Sequence, residues 1–160
     1  MNSSILIKDL NSQNYTLLDL SSKVEYALLA LLELASNKGK RQPLTMSEIT
    51  ARQPIPERYL EQILTSLRRG GLVQSHRGSR GGFVLVREPW QITLLEIVTV
   101  VEGERKERES SLPPTLEKNL VHEVWDRANN AAIEVLRHYT LQDLCQEREA
   151  RIQQGPMYYI

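Results

Sequence analysis

Residues 67–88, LRRGGLVQSHRGSRGGFVLVRE, carry five arginines (Arg68, Arg69, Arg77, Arg80, Arg87) and no acid before Glu88. The whole chain is neutral, with 20 Lys+Arg against 20 Asp+Glu in 160 residues. Positive charge is therefore gathered on one Gly-punctuated segment. Within it, LVQSHR and GFVLVR are short runs rich in β-branched or aromatic residues, joined by GSRG. That pattern predicts a β-hairpin. Gly78, Gly81 and Gly82 would permit positive φ and let the backbone approach a ligand closely.

Upstream, PIPERYLEQILTSLRRGG predicts a helix with Pro56 in its first turn and Gly70–Gly71 at its end. Tyr59, Leu60, Ile63, Leu64 and Leu67 share one face. Glu57, Arg58, Glu61, Gln62, Thr65, Ser66 and Arg69 share the other. Before it, LTMSEITARQ opens with Thr45 and Glu48 at capping-box spacing and buries Ile49. Earlier still, Ser22 with Glu25 repeats that spacing. Val24, Leu28, Leu31, Leu32 and Ala35 then follow at helical intervals, up to a stop near Asn37 to Gly39.

Three helices followed by a hairpin make a winged helix-turn-helix, so the fold class is mostly α with a two-strand β-wing. In that arrangement the third helix fits the major groove, and the wing lies on a phosphate backbone or in a minor groove. Arg77 and Arg80 at the wing tip would neutralise phosphates. Arg68, Arg69 and Arg87 could brace the same strand. A phosphate-cradling nucleotide loop fits poorly, because no Gly-Lys-Ser/Thr ending follows the glycines.

Downstream, QITLLEIVTVVEG predicts a helix with Thr93 and Glu96 as a third capping box and Gly103 as its stop. A charged, Pro-ended linker occupies 104–114. Leu116, Leu120, Val124, Ala128, Ala131, Ala132, Val135 and Tyr139 run along one side of a long helix, and Thr140 with Asp143 opens a last one. The expected organisation is an arm (1–20), a winged-helix unit (21–103), a mobile linker (104–114), two C-terminal helices (115–152) and a tail (153–160).

Composition narrows the rest. No run of 18 apolar residues exists, so no membrane span is expected. The N-terminus has no basic, apolar leader pattern. One cysteine, Cys145, excludes an internal disulfide and suits a reducing compartment. A cytoplasmic protein is expected. No nucleophile–base pair or cofactor loop suggests an enzyme.

LSSKVEYAL, IPERYLEQIL, LRRGGLVQSHRGSRGGF, ITLLEIVTVVEG and the helix bearing Trp125 resemble the winged-helix transcription regulator family that includes IscR, NsrR and CymR. The resemblance covers roughly residues 20–144. It implies a homodimer, a repressor by expectation, on a partly palindromic double-stranded operator, with 115–139 as the dimerisation helix. By position it implies that Arg58, Glu61 and Gln62 face the bases, Gln62 suiting adenine and Glu61 the cytosine amine. Lys23 would hold a phosphate. Glu57, Ser66, Arg69, Arg77, Ser79 and Arg80 complete the expected DNA contacts. Trp125 is expected to anchor the long helix to the winged unit.

The chain departs from the family where the cluster-binding members place three cysteines and a histidine. The corresponding interval, ERKERESSLPPTLEKNLVHEVW, has no cysteine, and Asn119 stands at the third position. Only His122 is retained. The standard iron–sulfur site is absent. Either the region is ligand-free, or it senses a small molecule, or an unconventional iron–sulfur site draws on His122 and Cys145. Cys145 is otherwise expected as a packed small hydrophobe with Leu141 and Leu144. The alternative to DNA binding is a winged-helix protein-interaction module, with the apolar tail 157–160 as its docking segment.

Overall fold

The computed structural model describes residues 17–39, 42–79, 81–103 and 112–155. The expectations for most of the arm, for Arg80, for most of the linker and for the apolar tail lie outside the described residues. Among the described residues, six helices, one two-stranded sheet and a short 3-10 turn follow in the order α1 (Ser22–Asn37), α2 (Met46–Arg52), α3 (Glu57–Arg69), β1 (Val73–His76), β2 (Gly82–Leu85), the turn Pro89–Gln91, α4 (Leu94–Glu102), α5 (Leu116–His138) and α6 (Leu141–Gln153). The fold is the expected one: mostly helical, with an antiparallel hairpin after the third helix.

Local sequence sets the helix starts. Thr45 caps α2 and Thr140 caps α6, each with a complete capping box through Glu48 and Asp143. α1 begins one residue earlier than the spacing suggested: Ser21, not Ser22, is the cap and accepts from Val24 N–H at 3.2 Å. Thr93 caps α4 by accepting from Glu96 N–H at 3.1 Å. The reciprocal half of that box is missing because Arg87 takes the Glu96 carboxylate.

One core holds these elements together. Leu31 of α1, Ile49 of α2, Leu60, Leu64 and Leu67 of α3, Leu72, Ile92, Ile97 of α4 and Leu141 of α6 are all buried in it. Burying such side chains contributes about 2 kcal/mol each. α6 therefore does not project from the domain; it folds back onto α1, with Leu141 fully enclosed. Its start is stitched to α4 by an antiparallel bridge between Thr93 and Thr140, with Leu94 N–H donating to Tyr139 O and Leu141 N–H to Ile92 O, both at 2.9 Å.

The hairpin pairs Val73 with Leu85, Gln74 with Val84, Ser75 with Phe83 and His76 with Gly82. A single residue, Leu44, adds a third strand position by exchanging hydrogen bonds with Phe83 (2.7 and 3.1 Å). This pairing fixes the root of the wing against the loop before α2. It also explains Gly82, whose φ is +150° and where a Cβ would stand 2.4 Å from Leu44 O. Gly78 takes φ +107° in the turn. Gly81 is not left-handed, contrary to expectation. A Cβ there would meet His76 O at 2.7 Å, so glycine is needed for space.

Candidate nucleic-acid interface

α3 divides cleanly by face. Leu60, Ile63, Leu64 and Leu67 are buried, while Glu57, Arg58, Glu61, Gln62 and Arg69 are exposed and Ser66 is half-exposed. Tyr59 departs from the expected apolar face. It is 40% exposed and joins the outer side. Its ring lies 6.1 Å from that of Tyr26 in α1, and the Arg58 guanidinium stands 5.2 Å from its centroid. Arg58 Nη2 also donates to Tyr59 Oη at 3.4 Å. The cation–π contact holds the Arg58 guanidinium against the Tyr59 ring on the outer side of α3.

Lys23 belongs to the same surface. With Tyr59, Gln62 and Ser66 it lines one shallow groove between the start of α1 and α3, floored by Ile63 and Val101. Three of the residues expected to meet DNA are thus brought together from two elements. Thr65 and Ser66 hydroxyls donate back to the backbone carbonyls of Glu61 and Gln62 (2.9 and 3.2 Å), and Glu61 and Gln62 are themselves exposed.

Only three residues, Gly70 to Leu72, separate α3 from the wing. Gly70 N–H donates to Ser66 O at 2.9 Å and Leu72 N–H to Leu67 O at 3.0 Å, and β1 begins at Val73. Arg77 and Ser79 are exposed in the turn between the strands. Lys23, Arg58, Arg68, Arg69 and Arg77 form no ion pair with any described residue. Cations left uncompensated at a surface attract polyanions and release counterions from them.

Arg87 is the exception, and it does not brace a DNA strand as expected. Its guanidinium grips Glu96 of α4 through both nitrogens, Nη1 at 2.8 Å from Oε1, and donates to Gln91 O at 3.0 Å. It locks the end of the wing to the start of α4. A further residue gave no signal in the sequence. Glu33 sits in the middle of α1, 1% exposed, where an apolar residue is the ordinary choice. Its carboxylate receives Gln53 Nε2 at 2.7 Å and faces Arg148 at 3.3 Å and Arg52 at 3.5 Å.

α5 contrasts with every other helix. None of its 23 residues is buried. Leu116, Leu120, Val121, Val124, Trp125, Val135 and Tyr139 are all more than half exposed. Trp125, at 70% exposed, does not anchor α5 to the winged unit of its own chain.

The two residues weighed as metal ligands stand on different helices, His122 exposed on α5 and Cys145 half-buried on α6. Burial pushes the Cys145 thiol up, partly offset by Arg148 and reinforced by Glu149. No group of three metal-binding side chains gathers among the described residues. A cluster held in the usual way needs thiolates, and one half-buried neutral thiol does not supply them. The donor set of this chain does not fit a cysteine-held iron–sulfur cluster. No helix among the described residues is long and apolar enough to cross a membrane.

A groove-sized helix with a polar outer face, followed at once by a cationic hairpin, defines a winged helix-turn-helix DNA-binding protein. Comparison with known proteins makes the assignment specific. The Rrf2 family, described as iron-dependent transcriptional regulators, matches residues 20–147. The regulator CymR of Bacillus subtilis (strain 168) is 37% identical over 141 residues, covering 88% of this chain and 99% of that one. A regulator from Synechocystis, slr0846, is 34% identical over 134 residues, 78% of this chain and 86% of that one. Among solved structures, T. potens IscR superposes with a TM-score of 0.71 at 37% identity, covering 89% of this chain and 97% of that one. The B. subtilis CymR structure, described as that of a global cysteine regulator, gives a TM-score of 0.69 at 37% identity, over 82% and 98%. This chain belongs to the Rrf2 family of transcriptional regulators, and it is a DNA-binding regulator of transcription.

Proposed function

We propose that the protein acts in the cytoplasm as a homodimer on a partly palindromic operator, as a repressor, and not as an enzyme. Two α3 helices enter successive major grooves about one DNA turn or more apart. Arg58, Glu61 and Gln62 read base edges, with Glu57 and Ser66 beside them. Lys23, Arg69, Arg77, Ser79 and Arg80 hold phosphates. α5 pairs the two chains, and α6 roots α5 on each winged unit. Residues 104–114, together with the start of α5, receive a small-molecule effector and pass its binding to the spacing of the two α3 helices.

The observation that supports this reading is the co-existence of two surfaces: a polar one on α1, α3 and the wing, whose cations Lys23, Arg58, Arg68, Arg69 and Arg77 have no ion pair among the described residues, and an apolar one along α5 that stands exposed. A membrane or partner-protein role for the first surface fits less well, because its cations are set among hydrogen-bonding side chains, as base readout requires.

Selection of bound duplexes from a random pool tests it. The expected outcome is enrichment of inverted repeats. Gln62→Ala should relax preference at one position in each half-site, with about 1–3 kcal/mol of discrimination lost there. A pool that returns no common sequence, or one identical for wild type and Gln62→Ala, would overturn this assignment of the reading face.

A further inference from the structure

Glu33 is a buried acid that no base contact and no dimer face requires. Its Oε1 is shared by two elements that are otherwise apart. Gln53 Nε2 donates to it at 2.7 Å, and Arg148 Nη1 stands 3.3 Å away. Oε2 faces Arg52 Nη1 at 3.5 Å. Gln53 caps the end of α2, and Ile55 N–H donates to Gln53 O at 2.8 Å, so the turn from Gln53 leads straight into α3 at Glu57. Arg148 lies on α6, which also reaches α1 through a 3.2 Å bond to Ser36 Oγ. α6 starts at Leu141, and only Tyr139 and Thr140 separate it from α5.

A carboxylate in the interior holds its partners in narrow geometry, because each lost partner leaves charge uncompensated in a poorly solvating medium. We infer that the Glu33–Arg148 pair is a positioning device: it fixes the angle of α3 relative to the α5–α6 arm and so sets the half-site spacing that the dimer accepts. Glu33 and Arg148 touch no DNA in this arrangement. They act through the α2–α3 turn on one side and through α6 on the other. Arg52 and Gln53 keep the carboxylate partnered when Arg148 is removed, and Leu141 with the Thr93–Thr140 bridge keeps the start of α6 docked, so the fold survives while the angular tether between α6 and the α2–α3 turn is lost. The inference rests on the homodimer reading above.

The experiment uses the full chain and two duplexes. One carries the selected inverted repeat; the other has one base pair inserted between its half-sites. Wild type should bind the inserted duplex at least about tenfold more weakly, since one base pair rotates a half-site by about a tenth of a turn. Arg148→Gln should narrow that ratio to about two- or threefold, within the range known for residues that couple remote sites. Arg148→Lys should restore it, and Arg52→Gln, which leaves α6 attached, should keep the wild-type ratio. Melting curves confirm that each variant is folded at the assay temperature. An unchanged ratio in folded Arg148→Gln overturns the positioning role and leaves the dimer reading intact. Wild type indifferent to the insertion overturns the dimer reading, and this inference with it. Should Arg148→Gln fail to fold, Glu33→Gln replaces it; the amide oxygen still accepts from Gln53, and the same narrowing is expected or the proposal fails.

Discussion

α3 and α5 are both helices with one side in water, and they use it in opposite ways. α3 buries four apolar side chains and shows polar and charged ones. α5 buries none and shows leucines, valines and a tryptophan. The first is finished as a fold and open as a reading surface. The second is unfinished until something apolar covers it, since an exposed apolar stripe of this length marks an interaction face. The chain thus keeps its polar, groove-sized face and its uncovered apolar face on different helices.

The contrast can be broken most severely at α5. Leu120→Asp with Val124→Asp should abolish pairing, at a cost of roughly 3–5 kcal/mol for unpartnered buried carboxylates. Sedimentation should show a monomer, and melting of the single chain should change little. A dimer that persists would move the interface elsewhere. Next in size, Leu64→Ala should destabilise the domain by about 3 kcal/mol through loss of transfer energy and a residual cavity. Leu116→Ala on exposed α5, measured in the monomeric double variant, should cost only a few tenths of a kcal/mol. Chemical denaturation of both variants gives the comparison, and equal losses would refute it.

A smaller effect is expected at Cys145. Its thiol is raised above the ordinary value of 9.0 by burial, with Arg148 opposing. A raised thiol favours the folded state below the unfolded value, and that contribution fades as pH climbs from 9.0 through the folded value. Alkylation of the native protein by iodoacetamide should therefore be slow at neutral pH and accelerate only in the alkaline range, later than in the unfolded chain. Fast reaction at neutral pH would mean an activated thiol and contradict the packed, neutral Cys145 described here.

The sequence made the winged helix legible because its signals are local. Thr45 with Glu48, Thr140 with Asp143, the apolar positions of α3 and the Gly-bounded strands each declare their structure within a few residues. What it concealed is long-range. Leu44 pairing with Phe83, Arg87 turning inward to Glu96, and α6 closing on α1 depend on partners that carry no periodic mark. Glu33 reads as the polar position of an amphipathic helix, and only the arrival of Gln53, Arg52 and Arg148 makes it a buried hub. Trp125 reads as an anchor because large aromatics are usually buried; in the single chain it is 70% exposed.

The measurement closest to the central claim is the dependence of duplex affinity on salt for wild type and Arg77→Ala. Each phosphate contact contributes about 0.9 to the slope of log K against log salt, and a homodimer presents two wings. The slope should therefore fall by close to two on substitution, with affinity lowered for operator and unrelated duplex alike. A variant with the wild-type slope and wild-type affinity would show that the cationic wing does not meet DNA.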